Sequence, residues 1–343
     1  MKRHSGLYSG LWQFCILACV GCATSSPPGV SAAAAASAPP LQLGELSDFV
    51  PAAGLRWLLV GSPRYFAQQP ALAGLRERWL TDQRLQAFAQ ATGIDLRRTE
   101  RALVAGFDLG TLYLVDGSGW LRKPELPFIE RLAGTARVQR THPDVWRVTG
   151  LVGSTPEALV RLADALVAVA VQDPLLARIV EYRARGRLHD VVPALHGAAL
   201  SALPAEFLEP GPLRAYALGP WPESAVPEAA GLLTAASALG AAVDLDGGAL
   251  RLRVALAGYW DSAQDREHLL SIWQALATSP LGQALSLDQP RAPLSAQVSE
   301  RALRLDVELD AARVLAGLER VAAGRLEPLL APAAGPERPR PSR

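Results

Sequence analysis

Leu303, Leu305, Val307 and Leu309 alternate with Arg304, Asp306, Glu308 and Asp310. That period of two predicts a strand with one buried and one wet face. Leu250, Leu252, Val254 and Leu256 repeat the pattern around Arg251 and Arg253. Just before them, Val243-Asp244-Leu245 runs into Asp246-Gly247-Gly248, and an Asp-Gly turn between alternating runs predicts a hairpin. The period then changes. Leu269, Ile272, Trp273 and Leu276 share one helical face, with Asp261 as an N-cap and Pro280 and Gly282 beyond the end. Asp310 caps a second helix through Val314, Leu315, Leu318 and Val321.

Read throughout, the second half predicts a strand at 213–218, a helix at 226–238, a hairpin at 241–257, a helix at 262–278, a hairpin at 295–309 and a helix at 311–323. The first half predicts a strand at 55–61 carrying Leu55, Trp57 and Leu59, then a helix at 71–92 stopped by Gly93. A hairpin of 102–107 and 110–116, a short helix at 125–133, a hairpin of 136–141 and 145–152, and a helix at 156–171 follow. Both halves read β-α-ββ-α-ββ-α. The expectation is a duplicated α+β domain whose repeats, 45–172 and 211–328, each have an antiparallel sheet with helices on one face. Residues 173–210, with Leu175, Leu176, Ile179 and Val180, predict a helical insert between the repeats or over a sheet edge.

The ends have no such periodicity. Residues 22–44 are rich in Ala, Ser and Pro and read as a linker; about 20 flexible residues reach roughly 25 Å. The Pro-rich stretch 329–343 reads as a disordered tail. The first 21 residues read as a signal peptide: Lys2, Arg3 and His4, then an apolar run over 7–20 too short to be a permanent membrane span, then Val20-Gly21-Cys22-Ala23.

All three cysteines, Cys15, Cys19 and Cys22, fall in this leader, so the body can form neither a disulfide framework nor a Cys-ligated metal site. The stretch ending at Cys22 resembles the lipobox of bacterial lipoproteins. The resemblance implies diacylglycerol on the cysteine sulfur, cleavage just before that residue and acylation of its new amine. Cys22 is the favoured register, with Gly21 before it and a Ser/Pro stretch after it. Cys19, after Ile16-Leu17-Ala18, is the alternative. Each acyl chain contributes about 0.8 kcal/mol per buried CH₂, so two or more chains anchor a domain stably. Ala23, where well-studied retention signals carry Asp, points to the outer membrane. In the body, the element order and Thr92-Gly93-Ile94-Asp95 resemble tandem-domain families of bacterial envelope proteins, a resemblance that carries no catalytic residues.

Charge excludes more than it suggests. The chain's net charge is +1. Setting Lys2 and Arg3 aside leaves a near-neutral body with no electrostatic reason to bind nucleic acid. No Walker loop, GxGxxG, HExxH or GxSxG motif is present. His189 and His196, seven residues apart with Asp190 nearby, lack a third ligand in sequence and read as surface residues; no metal and no cofactor are expected. Arg178, Arg183, Arg185 and Arg187 form a basic run whose bland reading is a solvated helix face and whose functional one is contact with an anionic surface or partner. Asp306, Glu308 and Asp310 read as the wet face of a strand. Trp120, Trp146, Trp221 and Tyr259-Trp260, at element ends, read as core before ligand platforms.

The sequence-level expectation is therefore a membrane-tethered, non-enzymatic binding or assembly module of the bacterial envelope. Its membrane contact runs through the N-terminal lipid, and its partner is an envelope protein or polymer met by a sheet face or the groove between repeats. The alternative is an envelope hydrolase or metal-dependent enzyme with its site between the repeats.

Overall fold

In a computed structural model the two halves share one sheet. The structure describes residues 39–221, 230–246, 248–260, 263–299 and 301–322. The strands are β1 (Leu55–Gly61), β2 (Ala102–Phe107), β3 (Thr111–Asp116), β4 (Arg137–His142), β5 (Val145–Val152), β6 (Thr155–Leu162), β7 (Leu166–Val171), β8 (Leu213–Leu218), β9 (Ala236–Asp246), β10 (Ala249–Gly258), β11 (Ser295–Val298) and β12 (Ala302–Asp310). They lie in the order β11-β12-β10-β9-β8-β1-β2-β3-β7-β6-β5-β4. Every neighbouring pair is antiparallel. The halves meet where β1 pairs with β8, from Trp57 opposite Ala217 to Gly61 opposite Leu213.

The helices are α1 (Pro63–Gln68), α2 (Ala73–Trp79), α3 (Asp82–Thr92), α4 (Glu125–Arg131), α5 (Leu175–Ala184), α6 (Ala205–Leu208), α7 (Ala230–Ala235), α8 (Gln264–Thr278), α9 (Pro280–Ala284) and α10 (Ala311–Ala322). They cover both faces of the sheet, not one as expected. On the front face, α5 and the segment after it bury Leu58, Leu103, Leu114, Val160 and Ala242 under Leu176, Val180, Leu203 and Phe207. The insert thus lies over a face of the sheet, not its edge. On the back face α3 and α4 cover one wing, where Phe128 and Leu132 meet Val148, Leu159 and Val167. There α8 and α10 cover the other wing, where Leu269, Trp273 and Val314 meet Leu256, Leu303, Leu305 and Val307.

Local signals explain most boundaries. Gly93 ends α3 in the left-handed region at φ +77°. Thr81 accepts a hydrogen bond from the Arg84 N–H and starts α3, so the single helix expected over 71–92 is two. Asp310 accepts from the Arg313 N–H at 3.0 Å and caps α10 as expected. The capping residue Asp261 lies outside the described residues, as do the leader with Cys19 and Cys22, nearly all the linker and the tail.

Two further expectations are overturned, and with the first of them the β-α-ββ-α-ββ-α order expected of residues 45–172. The helix expected over 156–171 is the hairpin β6–β7. Its apolar run is buried on both faces, between α5 in front and α4 behind, so it shows no period of two; Val160, Val167, Val169 and Val171 favour a strand there. The helix expected over 226–238 gives way at Ala236, where β9 begins; residues 222–229 lie outside the described set. Among the described residues no helix is long and apolar enough to cross a membrane.

Candidate functional site

The central strands have one dry face and one open face. In front, Leu58, Leu103 and Tyr216 are buried. Behind, the same strands present Trp57 and Leu59 of β1, Val104 of β2 and Ala215 and Ala217 of β8. Trp57 is 40% exposed and Leu59 38%, although the apolar face of a strand normally seeks cover. Among the described residues the α3/α4 layer stops at β3, and the α8/α10 layer, with α2 packed on α10, stops at β9, leaving an apolar trough along the β1–β8 seam where Trp57 and Leu59 stay part-exposed. Two strand spacings, about 10 Å, separate β2 from β8 across β1. That is close to the width of one helix with its side chains, about 10–12 Å. At one end, the Tyr65 hydroxyl of α1 donates to the Leu245 carbonyl at 2.7 Å.

A β-bulge makes the trough. The register of β1 against β2 shifts between Leu55 and Trp57, so Leu55 joins the front core while Trp57 and Leu59 turn to the back. Simple alternation puts all three on one face and misses this. Gly106 lies under Trp57; a Cβ there would collide with the indole, so the ring lies against bare backbone.

The strongest electrostatics lie away from the seam. Glu181 of α5 is fully buried and accepts from Arg147 at 3.0 Å and Arg185 at 3.1 Å. Arg161 and Glu125, both buried, meet at 2.9 Å. Burial pushes the Glu157 carboxyl up, against the pull of its Arg131 partner. These pairs tie α4 and α5 to β5 and β6. On the front of the second half, Asp244 bridges Arg214 at 3.3 Å and Arg253 at 2.6 Å. Asp306 pairs with Arg304 at 2.8 Å, Glu308 faces Arg251 at 3.9 Å, and Asp310 caps α10. The three acids are thus held by separate partners.

The basic run does not converge either. Arg178 reaches the Tyr182 hydroxyl, Arg183 donates to the Val191 carbonyl at 2.7 Å, Arg185 serves Glu181, and Arg187 is exposed. His189 and His196 are both exposed. No group of three or more metal-ligating side chains comes together among the described residues. Trp120, Trp221 and Trp260 pack on the two back-face cores, whereas Tyr259 is 89% exposed. Trp146 instead walls a cleft of about 340 Å³ at the far end of the sheet, with Lys123, Arg140, Asp144 and Arg161.

No family model matches the chain, and no curated protein matches it. Among solved structures it is similar to TP0453. Crystal form III of TP0453 has a TM-score of 0.47 and 11% identity, over 81% of this chain and 98% of that one. Form I has 0.41 and 12%, over 83% and 98%. Form IV has 0.42 and 11%, over 82% and 97%.

Proposed function

We propose that this chain is a membrane-tethered lipoprotein of the bacterial envelope that works as a non-enzymatic binding module, taking one apolar helix of an envelope protein into the trough along the β1–β8 seam. The observation that carries the reading is the part-exposed apolar strip at Trp57 and Leu59, over which no helix layer closes among the described residues, in a sheet whose two wings are covered on the same face. Soluble domains normally keep exposed apolar patches small, and larger contiguous ones mark contact sites. The tether reading rests on the lipobox-like stretch ending at Cys22. The element orders support a duplication. Outward from the seam, β8-β9-β10-β12-β11 runs against β1-β2-β3-β7-β6, and each set follows the order strand, helix, hairpin, helix, hairpin, helix once β4 and β5 are set aside and α5, expected in the insert, is counted as the last helix of the first set.

Two experiments test the reading. A photo-crosslinking residue at Leu59, in cells, should trap an envelope protein, and one at exposed Tyr259 should not; equal yields at both positions would refute the trough. Cys22→Ser should move the protein from the detergent phase to the aqueous phase. If only Cys19→Ser does so, the lipid sits at Cys19; if neither does, the tether is wrong.

A further inference from the structure

The sheet has two edges, treated differently. At one, β11 has four residues and lies beside α8. At the other, β4 shows four consecutive exposed residues, Arg137, Val138, Gln139 and Arg140, and among the described residues no other segment takes a backbone hydrogen bond from its outer side. β4 also lies beyond the strands that match between the halves.

Its side chains alternate. Arg140 lies opposite Trp146 and Val138 opposite Val148, on the back; Arg137 and Gln139 face front. The strand holds no acid, and none of Lys123, Arg137 and Arg140 is ion-paired among the described residues. Charges on an edge commonly serve only to repel other strands. Arg140 is built differently. Its guanidinium donates to the Pro143 carbonyl at 2.6 and 3.0 Å and lies 5.6 Å from the centre of the Trp146 ring. A purely repulsive charge needs no fixed seat; this one is held at the mouth of the cleft lined by Lys123, Trp146, Asp144 and the Arg161–Asp164 ion pair, in which Lys123 and Arg140 are the cations without an acidic partner among the described residues.

We infer that β4 is a docking edge for an extended peptide segment carrying two acidic residues three apart, added as a thirteenth, antiparallel strand. Strand addition takes affinity from main-chain hydrogen bonds and specificity from side-chain pockets. Antiparallel pairing follows the rest of the sheet. It sets one acid against Arg140, where it enters the cleft, a polar residue against Gln139, an apolar one against Val138 and the second acid against Arg137. Glu-Thr-Val-Glu fits that order. A second copy fits less well: the register that pairs residues 137–140 of two β4 strands sets Arg137 opposite Arg140, where like charges destabilise a ladder, and a shifted register that avoids this gives neither arginine an acid. This surface is separate from the seam trough and does not depend on the lipid tether.

The probe is a Glu-Thr-Val-Glu peptide with Gly-Ser flanks, added to the full chain and followed by calorimetry and amide hydrogen exchange. The expected result is binding with slowed exchange at residues 137–140. Arg137→Glu with Arg140→Glu should weaken it at least tenfold, and a Lys-Thr-Val-Lys peptide should restore binding to that variant. Arg137→Glu alone, at an exposed side chain without a partner, should still weaken the first peptide severalfold and guards against misfolding of the double variant. The inference is overturned by no binding, by binding without protection of 137–140, or by equal affinity for a peptide with N-methylated amides. It is also overturned if sedimentation shows a dimer of the free chain that the double variant dissolves, which would assign the edge to a second copy.

Discussion

Glu181 sits fully buried between two arginines, which sets the cost of disturbing it. Removing one member of a buried pair strands the other charge, at about 3–5 kcal/mol. Glu181→Ala should therefore lower unfolding free energy by about that much in urea titration, whereas Arg178→Ala on the same helix, at an exposed side chain, should leave the urea midpoint nearly unchanged. Tyr216 gives a pH-dependent case. Its buried hydroxyl donates to the Phe207 carbonyl, and burial pushes its pKa up from 10.0 to about 12. A tyrosine raised on folding stabilises fully below its unfolded pKa, and the benefit is lost as pH climbs toward the folded value. Stability should fall between pH 10 and 12 and do so less steeply in Tyr216→Phe. That variant should also be weaker at neutral pH by about 1–3 kcal/mol, because the Phe207 carbonyl loses its donor. Chemical denaturation across that range would measure both effects. Arg185, one helical turn from Glu181, is a partner that sequence spacing offers, but Arg147 comes from a strand 34 residues away and only the fold brings it in.

At the scale of elements, the alternating strands and the capped helices were readable, because one wet face imprints a period on the chain. The β6–β7 hairpin was not, because burial on both faces erases that period. Its tight turn carries a residue that suits the bend poorly, since Ala163 stands at φ +48°. An L-residue pays for that region and glycine does not. Ala163→Gly should raise stability by about 0.5–1 kcal/mol after the extra entropy of the unfolded chain is counted. A lower melting temperature for this variant would mean the bend is not strained. The bulge in β1 was equally hidden, because no residue type marks it. It decides which way Trp57 and Leu59 face, so the trough of the candidate site was invisible until the strands were paired.

The whole molecule is held across the seam by more than β1 and β8. Leu203 and Phe207 of the insert pack against Gly240 of β9, and Arg304 of β12 is ion-paired with Glu206 of α6. One front core runs from β5 to β10. A shared core predicts a single cooperative unfolding transition, with far-UV and near-UV signals coinciding in urea. Two separated transitions would show that the halves fold independently. Expressed alone, residues 40–210 and 211–322 would each expose a long central strand edge and should aggregate.

By itself the sequence determined the alternating strands, most helix ends, the confinement of all three cysteines to the first 22 residues and the resemblance of the stretch ending at Cys22 to a lipobox, because each is written in neighbouring residues. The tertiary structure alone decided that both halves build one sheet, that the insert lies over its front and that the basic run is dispersed onto separate partners. It also decided that, among the described residues, an apolar strip stays part-exposed behind the seam and a basic edge unpaired at the far end. These depend on which strands pair and where helix layers stop, and no local pattern encodes a contact between residues far apart in the chain.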